Sequence, residues 1–187
     1  MKPAVFFDRD GTLIESVHYL NKAEDVALVA GAADLIKTLS AAGYLSIIAT
    51  NQAAIGKGLL DEAGLHTIQQ RLDSLLQAQG AALDGWYFCP EVRISDDLET
   101  IDFADRKQGP GMLLRAARDF DIDLSQSWMI GDMLSDTIAG MNAGCKANIL
   151  IRSDRFKPEY AQHPSVDYLV DSLAPIKDII LPNRPTD

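Results

Sequence analysis

Two aspartates one residue apart, Asp8 and Asp10, follow a four-residue apolar run, Ala4-Val5-Phe6-Phe7, and precede Gly11 and Thr12. Two carboxylates so placed can hold a divalent cation through hard oxygen ligands and still leave one as a nucleophile. Three further groups have types suited to the same chemistry: Thr50-Asn51-Gln52, Arg106-Lys107, and Gly131-Asp132-Met133-Leu134-Ser135-Asp136. These groups, hydroxyl and amide donors, cations and further carboxylates, lie where strands end or in the loops beyond them. Each group also has a plain reading. Asp-Gly is a common turn, Thr-Asn-Gln can cap a helix, Arg-Lys in a polar loop is usually solvated, and Asp136 can be an N-cap.

Their order along the chain gives them a common place. Residues 4–7, 44–49, 86–89, 128–130, 147–151 and 168–170 read as strands. Residues 32–42, 61–79, 111–120 and 136–143 carry helical periodicity, and 172–180 reads as a terminal helix. Asp61 is placed to cap the second helix, and Gly43, Gly80 and Gly144 to end helices. The alternation predicts an α/β fold, a Rossmann-like three-layer sandwich with a mostly parallel central sheet. Open sheets of this kind carry their chemistry just past the carboxyl ends of the strands. The first two groups and the last sit at such ends. Residues 90–108 lack periodicity and hold six acidic residues, so they read as a long loop crossing the active-site edge.

The bulk composition narrows the partners. The chain has 187 residues, 47% hydrophobic and 24% charged, with a net charge of −10, which suits one globular domain over residues 1–181 with a frayed tail at 182–187. The acidic balance and the lack of Lys/Arg runs argue against nucleic acid. No segment approaches the roughly 18 apolar residues of a membrane span. Two cysteines give no disulfide framework, and no signal peptide is evident, so a cytoplasmic location is expected. No coiled-coil pattern points to a dimer, and a monomer is the default.

The four groups together resemble the haloacid-dehalogenase-like phosphohydrolases. The opening Asp-Arg-Asp-Gly-Thr and the Thr-Asn-Gln look most like the branch of heptose-bisphosphate and histidinol-phosphate phosphatases. The resemblance implies a small member with no large cap domain, and residues 13–26 are too few for a helical cap. It makes Asp8 the nucleophile that forms an aspartyl-phosphate and Asp10 the acid and base. Mg²⁺ is implied on the Asp8 carboxylate, the Asp10 carbonyl and the Asp132 carboxylate. The Thr50 hydroxyl and Asn51 amide would hold phosphoryl oxygens, and Lys107 would neutralise their charge. Arg106 would reach the rest of the substrate, such as a second phosphate. Arg9, Gln52 and the loop residues Ser16, His18 and Tyr19 complete the expected substrate contacts.

Two departures stand out. Zinc-carrying relatives place Cys-x-His before the long loop and Cys-x-Cys directly before Arg-Lys. Here Cys89 remains, but Glu91, Phe103 and Asp105 occupy the other positions. One soft ligand does not build a structural zinc site, so none is expected, and packing through Val92, Ile94, Ile101 and Phe103 would have to order the loop. Met133 stands where relatives often have Lys. The leading expectation is a Mg²⁺-dependent phosphomonoesterase acting on a small phosphorylated substrate, first the 7-phosphate of a heptose 1,7-bisphosphate in the making of surface polysaccharide. Histidinol phosphate, another small sugar or polyol phosphate, and a non-catalytic phosphate-binding role are the alternatives.

Overall fold

The computed structural model describes residues 1–97 and 100–183. Six strands are β1 Ala4–Phe7, β2 Leu45–Asn51, β3 Gly85–Cys89, β4 Trp128–Gly131, β5 Ala147–Ile151 and β6 Tyr168–Val170. Six helices are α1 Ala32–Ala41, α2 Ala53–Gly56, α3 Glu62–Gln77, α4 Gly111–Phe120, α5 Leu134–Ala143 and α6 Ile176–Ile180. All described strand pairs are parallel, in the order β3-β2-β1-β4-β5-β6. The chain builds outward from β1 to β3, then returns to the other side of β1 for β4. The order therefore reverses between β1 and β4, and their carboxyl ends form the crevice where such sheets bind ligands.

Strand periodicity sorts the core into two layers. Val5 and Phe7 face one side, with Ile48, Ile130 and Ile149, and are covered by apolar residues of α1, α3 and α6. Ala4 and Phe6 face the other, with Ile47, Ala49 and Met129, and are covered by Met112, Leu113 and Ala116 of α4. α5 packs beside α4 through Leu134 and Ile138, which meet Leu150 of β5. Both faces being buried explains why the strands read as continuous apolar runs rather than alternating ones. The three-layer expectation holds. Between β1 and α1 the only helical segment is a short 3₁₀ turn, Ala23–Asp25, so no large cap stands over the crevice.

Several elements differ from the sequence reading. β2 runs on through Thr50 and Asn51, which pair with Phe88 and Cys89, because ladder pairing to β3 outlasts the apolar side chains. α5 begins at Leu134, so Asp136 lies in its first turn rather than at its cap. Residues 53–56 form a helical turn that has too few residues to show a period. The terminal helix starts only after Pro175. Asp61 caps α3 as expected, its carboxylate accepting from the Gly64 N–H at 2.7 Å. Of the expected frayed tail, Pro182 and Asn183 belong to a 3₁₀ turn, and 184–187 lie outside the described residues.

Candidate active site

Asp8 leaves β1 and Asp132 leaves β4, so the topology puts both at the reversal point. Asp136 joins them from the first turn of α5. One carboxylate oxygen from each of the three lies within 4.8 Å of the others, and all three residues are buried. Two glycines make this approach possible. Gly11 has φ +91°, and a Cβ there would sit 2.7 Å from Asp132 Oδ2. A Cβ on Gly131 would fall 2.0 Å from Asp136 Oδ2.

Lys107 enters this triangle from the far end of the long loop. Its Nζ donates to Asp8 Oδ1 at 2.7 Å and to the Ala49 carbonyl at 2.7 Å, and pairs with Asp136 Oδ1 at 2.8 Å. All three ammonium donors are thus used. Burial alone would lower its pKa, but Asp136 and then Asp8 outweigh burial and hold it above its usual value. Asp136 shifts the other way for a carboxyl, raised chiefly by burial against the pull of Lys107. Burial, then the charge of Asp8, pushes Asp132 up to about 6, with Arg155 opposing.

Three carboxylates against one buried ammonium leave negative charge in excess, and one oxygen of the set is unsatisfied. Asp132 Oδ1 is buried with no hydrogen-bond partner. Its Oδ2 accepts from Arg155 Nη2 at 2.9 Å. Asp136 spends both oxygens, Oδ1 on Lys107 and Oδ2 on the Met133 N–H at 2.9 Å. An orphaned hard oxygen amid excess negative charge fits a divalent cation held directly by Asp8 and Asp132, with Asp136 steadying the lysine.

Asp10 is held on the other side of the turn. Arg9 Nη2 pairs with its Oδ2 at 3.0 Å, Gln52 Nε2 donates to the same oxygen at 2.8 Å, and the Thr50 hydroxyl lies 3.5 Å away. The backbone bonds of the 9–14 turn use the carbonyls of Arg9 and Ile14, and the Asp10 carbonyl is not among them.

Two expected substrate contacts are corrected. Arg9 has no exposed surface and points back onto Asp10, because its guanidinium supplies the counter-charge to a carboxylate beside three others. Asn51 uses both ends of its amide on the backbone of Lys107: Nδ2 donates to the Lys107 carbonyl and Oδ1 accepts from its N–H, both at 3.0 Å. Asn51 thereby positions Lys107 rather than offering its amide to a phosphoryl group. Gln52, likewise, reaches Asp10 and Thr50 while lining the cleft.

Two adjoining cavities open at this edge. The smaller, about 220 Å³, is walled by Asp8, Asp10, Thr50, Arg106, Lys107 and Met133, among others. The larger, about 460 Å³, is walled by Ser16, His18, Tyr19, Gln52, Asp154 and Arg155, among others. Asp10, Asn51, Ala53 and Arg155 line both. Ser16, His18 and Tyr19 are therefore brought to the cleft, with the His18 ring tilted 57° against that of Tyr19 and their centroids 4.2 Å apart. The Tyr19 hydroxyl meets Lys57 Nζ. Arg106 lines the smaller cavity and donates from Nη1 to the Glu91 carbonyl at 2.8 Å.

Sequence reasoning grouped Asp136 with the site motifs but gave it only a capping role, and it missed Arg155. The four-residue spacing from Asp132 was the available signal for Asp136: it is one helical turn beyond a site carboxylate. Arg155 had only its position, four residues past the end of β5, to mark it.

The corner beyond β3 is built differently. Cys89 is buried, and burial pushes its thiol pKa up. Asp105 pairs with Arg115 at 3.2 Å, and Tyr87 donates its hydroxyl to Asp119 at 2.6 Å. Apolar packing of the loop fails at two of the four expected positions, since Ile94 is 77% and Ile101 46% exposed. Polar bonds replace it: Asp102 accepts from the N–H groups of Ile94 and Ser95, and the Gly111 N–H donates to the Ala104 carbonyl at 2.7 Å.

Known proteins resemble this chain in sequence and fold. A family model described as HAD-hydrolase-like matches residues 105–176. The D-glycero-D-manno-heptose-1,7-bisphosphate 7-phosphatase of Thermosynechococcus vestitus is 38% identical over 182 residues, 92% of each chain. The D-glycero-beta-D-manno-heptose-1,7-bisphosphate 7-phosphatase of Pasteurella multocida is 32% identical, covering 96% of this chain and 97% of that protein. A crystal structure of D,D-heptose 1,7-bisphosphate phosphatase from B. bronchiseptica, complexed with magnesium and phosphate, superposes with a TM-score of 0.82 at 28% identity, over 96% of this chain and 98% of that one. With a likeness that runs through nearly the whole of both partners, the chain belongs to the haloacid-dehalogenase-like hydrolases, in the branch of the heptose-1,7-bisphosphate 7-phosphatases.

Proposed function

We propose that the chain removes the 7-phosphate of a D-glycero-D-manno-heptose 1,7-bisphosphate in a Mg²⁺-dependent reaction through an aspartyl-phosphate on Asp8. The observation that carries this is the buried Asp8–Asp132–Asp136 triangle with Lys107 at 2.7 Å from Asp8. The names of the relatives support the substrate. Asp8, Asp132 and the Asp10 carbonyl would hold Mg²⁺, which supplies Lewis-acid charge that offsets repulsion between a carboxylate and a phosphate.

Asp8 is the nucleophile. Its oxygen bonds to phosphorus as the bond from phosphorus to the sugar oxygen breaks, and Asp10 gives its proton to the departing alkoxide. Asp10 then takes a proton from water, whose oxygen displaces Asp8 and releases phosphate. Arg9 and Gln52 fix the Asp10 carboxylate for both steps. Lys107 keeps positive charge beside the atom that receives the phosphoryl group. Thr50 and Arg106 line the cavity in which the phosphoryl group would lie.

The reading extends to the rest of the molecule. The 89–105 corner carries no structural zinc: Phe103 offers no ligand and Asp105 is engaged by Arg115. The enzyme works as a cytoplasmic monomer on a small molecule, without nucleic acid or membrane. The net charge of −10 supports a partner other than nucleic acid, and no helix among the described residues is long and apolar enough to cross a membrane.

Phosphate release with Mg²⁺ from both anomers of heptose 1,7-bisphosphate, histidinol phosphate and sugar monophosphates tests the proposal. The expected result is a preference for one bisphosphate anomer, abolished by EDTA. Faster release from histidinol phosphate would overturn the substrate. Stoichiometric zinc in the purified protein would overturn the reading of the corner.

A further inference from the structure

The two cavities share Arg155, and its position assigns it a task that no motif residue performs. Arg155 follows β5 and reaches back across the crevice. Its Nη2 donates to Asp132 Oδ2 at 2.9 Å and to Ser16 Oγ at 3.3 Å. The side chain remains 44% exposed, so the guanidinium borders the cleft instead of being sealed behind it. Gly11 leaves it room, since a Cβ there would come within 3.1 Å of Nη2.

Charge in the larger cavity is the deciding point. Its wall includes two carboxylates, Asp10 and Asp154, and a single Lys or Arg among the described residues, which is Arg155. A substrate with its reacting phosphate beside Asp8 places its remainder in that larger space. If the remainder carries a second phosphate, those two carboxylates repel it, and only Arg155 offers a fixed counter-charge. Arg106 lines the smaller cavity alone and already spends Nη1 on the Glu91 carbonyl. Arg155 has a planar fork of five N–H donors, of which Nη2 makes the two contacts above, and such a fork matches phosphate oxygens in pairs.

We propose that Arg155 is a specificity-determining residue that binds the phosphate not being hydrolysed. This rests on the proposed action on a two-phosphate sugar. It also answers the loss of a cation at Met133: the charge enters the cleft from β5 instead of from α5.

The test separates the two ideas. In the Asp8→Asn background, which prevents turnover, calorimetry with Mg²⁺ compares heptose 1,7-bisphosphate with heptose 7-phosphate. Arg155→Met is expected to weaken the bisphosphate at least tenfold more than the monophosphate, with part of the difference recovered in Arg155→Lys. Changes common to both ligands, such as an altered metal affinity through Asp132, cancel in that ratio. Equal weakening of both ligands overturns the proposal. So does a parent protein with no preference for the bisphosphate, or a larger differential loss in Arg106→Met. Turnover of the bisphosphate by the unmodified chain is measured separately: its absence refutes the substrate assignment, while the binding ratio still decides Arg155.

Discussion

At the ends of β1 and β4, charged side chains are sealed in against one another. Lys107 is 2% exposed and Asp136 and Asp132 each 1%. Beyond β3, charged side chains stay at the surface: Arg115 and Asp105 are 38% and 41% exposed and share one ion pair at 3.2 Å. The residues of the first region are bound by mutual electrostatics in a place water does not screen, so none can change alone. Those of the second are screened, and the loop is held by hydrogen bonds that the Arg115–Asp105 pair does not make. A substitution at the corner is therefore tolerated, whereas one within the triangle is not.

Substitutions can break that contrast. Asp8→Asn should lower kcat by on the order of 10⁴ or more, because no other group can accept the phosphoryl. Asp105→Asn should leave kcat within about twofold, as expected for a screened pair. Equal losses would erase the distinction between the regions. Asp10→Asn should slow turnover by about 10²–10⁴ as general acid and base catalysis is lost, with Mg²⁺ affinity by calorimetry little changed, since its proposed ligand is a backbone oxygen.

Stability should follow the same order. Lys107→Met leaves buried carboxylates without their partner and should cost about 3–5 kcal/mol in denaturant unfolding with EDTA present. Arg115→Met should cost at most about 1 kcal/mol. A subtler effect concerns pH. Asp132 is raised to about 6 from its ordinary 3.8, so the folded chain holds that proton more tightly than the unfolded chain. Its contribution is fully present below about pH 4 and is lost as pH rises through about 6. In EDTA, the unfolding midpoint of Asp132→Asn relative to the parent should therefore rise across that window. A flat difference would show that Asp132 is not strained by burial.

Much of this was readable in advance because two periodicities and a strand-end rule carry it. β1, β5 and β6 and helix α4 lie where the apolar patterns place them, and Asp8, Asp132 and Lys107 converge as their strand-end and loop positions suggest. What escaped depends on three-dimensional proximity. Arg9 reads as a cleft cation until the turn folds it behind Asp10. Asn51 reads as a phosphate ligand until β2 extends and brings its amide to the backbone of Lys107. Arg155 lies 139 residues from the serine it touches, a distance at which local pattern carries no information.

That separation also governs when the enzyme comes into being. Lys107, the partner of Asp8, is made 99 positions after it. At roughly 5–20 residues per second, about 6–25 s pass between synthesis of Asp8 and of Asp136. Until Lys107 is made, Asp8 lacks its cation, and until Asp136 follows, Lys107 lacks one of its two carboxylate partners. A ribosome that stalls before α5, or a message cut short there, yields a product unable to act on the cell's phosphate esters. Activity thus certifies that the chain has been read at least as far as its fifth helix.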